Sequence, residues 1–191
     1  MLVPPIFNDM RALLLIGMLL GPVLTLGQSW DSLYLDLHPD TTTSQYLNDA
    51  VSDGSQGLMA VGNFRPTNGS WSGYVVRYDP NGDTLWTQRF PGVRSFHAIG
   101  SAGNGTYLLA AETQNSSIDP PLILIDANGN VEWQKSYDPA FPQGGLLPYD
   151  LLTDDNGGAW VIGRKFWNQV GKWVVVRTDA NGDTLWSQST E

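Results

Sequence analysis

Trp71 and Trp167 each lie in a stretch rich in polar and basic residues, with Arg65 upstream of the first and Arg164 and Lys165 just before the second. A planar ring beside hydrogen-bonding groups suits a sugar, which offers an apolar face and polar edges. Arg94 lies in the stretch Pro91–Phe96 and His97 just beyond it. Basic residues gathered in such stretches of an acidic protein favour an anionic or carboxylated ligand. Glu112 and Asp150 are the carboxylates to test for glycoside hydrolysis, whose two acids need not be close in sequence. Most other acids fall in turns: Asp79, Asp83, Asp126, Asp154, Asp155, Asp179 and Asp183. Other catalytic designs lack parts. His38 and His97 are the only histidines, which supplies neither a multi-histidine metal site nor a histidine relay. There is no Gly-x-Ser-x-Gly elbow and no phosphate-cradling P-loop. The absence of Cys removes disulfides, thiolate catalysis, zinc–cysteine sites and iron–sulfur clusters.

Asp79, Asn81 and Asp83 place oxygens at i, i+2 and i+4, as do Asp179, Asn181 and Asp183. The corresponding set Asp126, Asn128 and Asn130 has an amide in the last place. Calcium needs six to eight oxygens, and no Glu follows at the offset of an EF-hand loop. Turn chemistry accounts for the same residues without a metal, so no metal site is expected. The sequons at Asn68, Asn104 and Asn115 are read likewise as turn residues.

These residues must be held by some scaffold, and the composition narrows it. The 191 residues are 41% hydrophobic and 15% charged, with 21 Gly, 12 Pro and 8 Trp, usage that favours turn-rich β structure over helical bundles. A net charge of −9 gives no electrostatic basis for gripping nucleic acid or an anionic membrane surface.

Residues 1–27 read as a secretory signal peptide: Arg11, an apolar run from Ala12 to Leu26, and Thr25 and Gly27 at the −3 and −1 places before Gln28. The run is short for a bilayer span and is interrupted at Gly21-Pro22. The expected mature chain, 28–191, is secreted or displayed at the cell surface and has no membrane span.

Three copies of one pattern organise the rest. Asp79-Pro80-Asn81-Gly82-Asp83-Thr84-Leu85-Trp86 recurs as Asp126-Ala127-Asn128-Gly129-Asn130-Val131-Glu132-Trp133. It returns as Asp179-Ala180-Asn181-Gly182-Asp183-Thr184-Leu185-Trp186. The spacings of 47 and 53 residues leave room for four short strands per unit, the layout of a β-propeller blade. Each Asn-Gly between apolar runs (at Asn81, Asn128 and Asn181) predicts a type I′ hairpin turn, with the preceding Asp capping it. Each Trp is expected to pack between neighbouring blades. The expected fold is all-β: a partial propeller of about three four-stranded antiparallel blades (about 44–93, 94–143 and 144–191), after the signal helix and an N-terminal closing strand and connection at 28–43.

The Asp-x-Asn-Gly-x-x-x-Trp units resemble those of secreted bacterial propellers, Bacteroidota-like in type, with PQQ-like or quinoprotein-like repeats. The resemblance spans residues 44–191. It departs from the docking unit of quinone enzymes, which has Thr-Gly before the Trp and one more residue between Asp and Gly. No quinone or other cofactor is expected.

Propellers close with four to eight blades. Three blades imply either a fragment of a larger protein or pairing of two copies, with the missing blades coming from the same longer chain or from a second copy. The leading expectation is a non-enzymatic binding or scaffold module for a carbohydrate or protein. Its ligand residues are expected in the loops Asn63–Gly73, Glu112–Pro121 and Arg164–Lys172 and the connections Pro91–Phe96 and Asp138–Pro148, opposite the Asn-Gly turns. They are Arg65, Trp71, Arg94, His97, Arg164, Lys165 and Trp167. The alternative is part of a propeller enzyme, polysaccharide-degrading or a quinone-type dehydrogenase, completed by further blades.

Overall fold

The structure is a computed structural model that describes residues 44–67, 69–114, 121–136, 146–167 and 170–190. The expected signal peptide (1–27), the N-terminal strand and connection (28–43, with His38) and the sequons at Asn68 and Asn115 lie outside these residues. So does most of the expected connection Asp138–Pro148.

Three four-stranded antiparallel sheets follow one another along the chain. The first holds β1 (Ser44–Ser52), β2 (Leu58–Arg65), β3 (Ser72–Tyr78) and β4 (Thr84–Phe90). The second holds β5 (Val93–Gly103), β6 (Thr106–Thr113), β7 (Pro121–Asp126) and β8 (Val131–Ser136). The third holds β9 (Leu146–Thr153), β10 (Ala159–Trp167), β11 (Val170–Thr178) and β12 (Thr184–Ser189). Every strand pairs with its neighbour in sequence, so each sheet is a meander in which tight turns replace long crossings.

The inner strands carry apolar residues on both faces, the pattern of a sheet covered on both sides. In β2, Met59, Ala60, Val61 and Gly62 are all buried. Met59, Val61 and Val75 of the first sheet pack with Phe96, Ile99, Tyr107, Leu109 and Ile123 of the second. On its other face, the second sheet sends Ala98, Leu108, Ala110 and Leu122 against Leu151, Ala159, Val161, Val174 and Val176 of the third. The second sheet is therefore sandwiched. The last strand of each sheet alternates between exposed and half-buried positions, as a half-wet edge strand does.

The repeated turn differs from the expected type I′. Gly82, Gly129 and Gly182 have φ of 88°, 85° and 78°, but Asn81, Asn128 and Asn181 before them are not left-handed. Asp79 N–H donates to Asp83 O and Gly82 N–H to Asp79 O, at 2.9 and 3.0 Å. The second copy repeats this, with Asp126 N–H donating to Asn130 O and Gly129 N–H to Asp126 O, at 2.9 and 3.1 Å. Each is a type I turn closed by a left-handed glycine, and the strand register slips between Arg77 and Tyr78 as a bulge requires. The turn therefore centres one residue earlier than Asn-Gly, on Pro80–Asn81, Ala127–Asn128 and Ala180–Asn181. Proline at 80 fixes φ near −65°, the value wanted at the first central place of a type I turn. The alanines suit that place as well, since neither φ there is positive.

The type I′ geometry occurs instead at the two-residue β5–β6 loop, where Asn104 and Gly105 have φ of 53° and 75°. The capping expectation holds. Asp79 Oδ1 accepts from the N–H groups of Asn81 (2.8 Å) and Asp83 (2.9 Å). Asp126 Oδ1 accepts from Asn128 and Asn130, both at 2.8 Å, and Asp179 does the same for Asn181 and Asp183.

Two of the three repeat tryptophans bridge neighbouring sheets. A methyl group added at Gly129 would stand 3.0 Å from Trp86 Cη2, and one at Gly182 would stand 2.5 Å from Trp133 Cη2. Each ring thus rests on the bare backbone of the next sheet's turn. Trp186 has no such cover among the described residues and is 45% exposed. Side chains add polar ties between sheets: Arg77 Nη1 donates to Ala127 O (3.0 Å), Trp86 Nε1 to the same carbonyl (3.2 Å), and Lys135 Nζ meets Asp183 Oδ1 (2.6 Å).

Candidate functional site

At the end of the first two sheets away from the Asp-x-Asn-Gly turns, the β2–β3 loop comes up against the start of β5 and the end of β6. Arg65, Gly69, Ser70, Trp71, Arg94 and Gln114 line a cavity of about 310 Å³ there. The seam is tied by backbone and side chain together. Gln114 N–H donates to Gly92 O (3.3 Å) and Gln114 Nε2 to Trp71 O (2.6 Å), which fastens the loop of the first sheet to the second. Beneath it, Asn48 Nδ2 and Asn63 Nδ2 both donate to the buried Ser95 Oγ, at 2.9 and 3.1 Å, and Asn48 Nδ2 also reaches Phe96 O at 2.6 Å. A buried hydroxyl needs such partners, and here they fix the strand that carries Arg94.

Trp71 is the apolar centre of the cavity. The Arg65 guanidinium carbon lies 5.4 Å from its ring centroid, within cation–π range, and the ring of Tyr46 lies 5.9 Å away, tilted by 43°. Tyr46 is 55% exposed, so the two rings offer a stepped aromatic surface at the cavity edge.

Arg94 stands on the other side, and its side chain is 55% exposed. Its Nη1 is 3.3 Å from Glu112 Oε1, while Glu112 Oε2 is 2.9 Å from His97 Nε2. The hydrogen bond with His97 holds the Glu112 carboxyl below its ordinary range; burial opposes this, and the charge on Arg94 adds to the lowering. Glu112 is thereby kept anionic, which suits an orienting partner for Arg94 and His97 and not a proton donor. No acidic group pairs with Arg65 among the described residues, so the cavity presents guanidinium groups beside an aromatic ring.

The structure thus brings together Arg65, Trp71 and Arg94, with His97 one step behind through Glu112. It places Arg164, Lys165 and Trp167 elsewhere. They belong to β10, which continues to Trp167 and so replaces the loop expected to start at Arg164. Lys165 is only 4% exposed, and the Arg164 side chain lies across the bare face of Gly171 on β11. The side chain of Trp167 lies outside the described residues. Asp150 sits in β9, where its Oδ1 accepts the N–H of Leu151 at 2.8 Å and so caps the bulge beside it. Gln114 joins the cavity, and Tyr46 the Trp71 ring at its edge, without a signal of their own in the sequence.

No group of three or more His, Cys, Asp or Glu able to hold a metal occurs among the described residues. In the Asp-x-Asn-Gly turns, the Asp oxygens accept hydrogen bonds from their own loop, as at Asp126, which takes Asn130 Nδ2 at 2.9 Å. No helix among the described residues is long and apolar enough to cross a membrane. Neither a protein-family model nor a curated protein matches the chain.

Proposed function

We propose that the chain is a secreted or cell-surface binding module, that its three sheets are blades of a β-propeller, and that it takes a carboxylated carbohydrate in the cavity between the first two. One observation carries this reading: Arg65 and Trp71 of the first sheet and Arg94 of the second line a single cavity opposite the repeated turns. A uronic acid unit has the matching chemistry, a ring face for Trp71 and a carboxylate for the two guanidinium groups. The exposed Tyr46 ring extends the aromatic surface for a neighbouring sugar. The overall charge of −9 opposes a polyanion at long range, so the affinity comes from contacts inside the cavity and weakens with salt.

Calorimetric titration of the full chain with oligogalacturonate, and with a neutral glucan of equal length, tests this. Binding of the uronate alone is expected, with Arg94→Ala and Trp71→Ala each weakening it by about tenfold, the scale of one charge-assisted hydrogen bond or one stacking contact. Equal binding of both sugars, or affinity untouched by both changes, would remove the proposal.

A further inference from the structure

The face that the first sheet turns toward the second is repeated on the third sheet, where no other described sheet packs against it. Besides Asn48 and Asn63, three side chains of the first sheet reach across to the second. Asp49 Oδ2 accepts the N–H of Ile99 at 2.9 Å, Arg77 Nη1 donates to Ala127 O at 3.0 Å, and the Trp86 ring stands over Gly129. The strand registers put Asp150, Arg177 and Trp186 at the corresponding places of the third sheet. Asp49 pairs with Val61 as Asp150 pairs with Ile162, and Arg77 pairs with Trp86 as Arg177 pairs with Trp186.

The contacts each residue makes within its own sheet are repeated too. Asp49 and Asp150 both accept the N–H of the following residue at 2.8 Å, and Arg177 meets Asp154 as Arg77 meets Asp53. What the third sheet lacks is the far partner. The Arg177 guanidinium lies 3.8 Å from the Trp160 ring centroid, but its Nη1 is buried with no hydrogen-bond partner among the described residues, and Trp186 is 45% exposed. Leu152 and Trp173 on the same face are 54% and 52% exposed. The second sheet has Ala98 and Leu124 at the Asp and Arg places, so this polar pattern is not simply what every sheet of the repeat carries.

We propose that this face receives a fourth four-stranded sheet of the same repeat, following β12 in the chain as the second sheet follows β4. A donor left unpaired inside protein costs about 1–3 kcal/mol, and a backbone carbonyl placed like that of Ala127 satisfies it. The incoming sheet brings an Asp-x-Asn-Gly turn, whose second carbonyl meets Arg177 and whose glycine lies under Trp186. It also brings an inner-strand N–H for Asp150. In a second copy of this chain the equivalent surface, the outer face of its first sheet, is already buried. Its second sheet is buried on both faces, and the outer face of its first sheet holds Ala60, Phe64, Tyr74, Val76 and Tyr78 at 2% exposure or less. Continuity of the chain fits as well, because β4 passes to β5 through Pro91 and Gly92 alone. The fourth sheet differs from the second at one place. Gly73 lies against Phe96 and Val93, whereas its counterpart Trp173 needs a smaller neighbour, such as the Pro148 that the third unit carries where the second has Phe96.

The test compares the full chain with the chain extended after Glu191 by a second copy of residues 138–191. That copy supplies an Asp-Ala-Asn-Gly turn and a proline facing Trp173. Because the chain has no Cys, Gln188→Cys places a single thiol on the free face, and Gln88→Cys reports the covered one. In the extended chain the thiol at 188 is expected to react with a disulfide reagent about tenfold more slowly than in the unextended chain, as a site that must open locally to react. Arg177→Ala is expected to lower Tm further in the extended chain than in the unextended one. Equal reactivity and an equal Tm loss in both chains would overturn the proposal. So would an unextended chain that sediments as a dimer and protects the thiol at 188, since the occupant is then a second copy. The unextended chain gives an independent reading whether or not the longer one folds: Trp186→Ala is expected to cost far less stability than Trp86→Ala, and an equal cost overturns the proposal.

Discussion

Arg77 in the first sheet and Ala127 in the second are joined by a bond of 3.0 Å from the guanidinium Nη1 to the backbone carbonyl. The same guanidinium holds Asp53 through Nε at 3.2 Å and Nη2 at 2.9 Å. One side chain therefore closes the β1–β2 turn and fixes the next sheet's turn through the carbonyl that Trp86 also uses. Removing it leaves a carboxylate that is 1% exposed without its cation. Arg77→Ala is expected to destabilise the protein by about 3 kcal/mol, the scale of breaking a buried ion pair. Arg77→Lys is expected to cost less, because it keeps the charge and loses the fork. Urea unfolding of both variants measures the difference.

The tryptophan-on-glycine contact can be separated from backbone strain. Gly103 has φ of 87° and open space where a methyl group would stand, so Gly103→Ala is expected to cost about 1–2 kcal/mol for the left-handed backbone alone. Gly182→Ala, at φ of 78°, meets the Trp133 ring as well and is expected to cost about 1 kcal/mol more from crowding. In a Trp133→Ala background that excess disappears, which a double-mutant cycle by chemical denaturation detects.

Acid stability follows from the same turns. Burial pushes the Asp53 carboxyl up, but hydrogen bonds from Ser55, Arg77 and Gly57 prevail and hold it at about 2 against an ordinary 3.8. Asp154 is lowered too, with burial opposed by its bonds from Arg177, Gly158 and Asn156. A carboxyl lowered on folding stabilises the folded state fully above its unfolded pKa, and this contribution is lost as pH falls through the folded value. Denaturation midpoints are therefore expected to be flat in this respect above about pH 5 and to fall from there toward pH 2. Asp53→Asn, less stable at neutral pH, is expected to show a shallower fall.

Glu112 partly neutralises the cavity. For the carboxylated ligand proposed above, Glu112→Gln removes a like charge next to Arg94. It is expected to tighten oligogalacturonate binding about threefold at low salt, the gain shrinking as salt screens it. Titration at two ionic strengths measures both effects.

The three sheets are legible in the sequence because the Asp-x-Asn-Gly-x-x-x-Trp pattern marks the same hairpin three times. The turn type is not legible from Asn-Gly alone, because the Asp cap and the φ of Pro80 draw the turn one residue earlier and leave Asn81, Asn128 and Asn181 right-handed or extended. The site is half legible. Arg65, Trp71 and Arg94 stand out by residue type. Gln114 does not, because its place at the cavity depends on how the second sheet seats against the first, and Tyr46 does not, because its contact with Trp71 depends on how the β2–β3 loop folds back over β1. Arg164 and Lys165 read as loop residues, yet the long pairing of β10 with β11 makes them strand. The bulges beside Asp49 and Asp150 leave no mark in the sequence, although they decide that these carboxylates serve backbone N–H groups.

Meander connectivity also has a consequence for how the chain is made. All hydrogen-bonded strand partners within a sheet are neighbours in sequence, so each sheet can form as soon as its own four strands have left the ribosome. Arg77 can meet Asp53, 24 residues earlier, well before Ala127, 50 residues later, has been synthesised. The completed first sheet thus waits with its latch half engaged and offers a ready face to the second as that sheet is made.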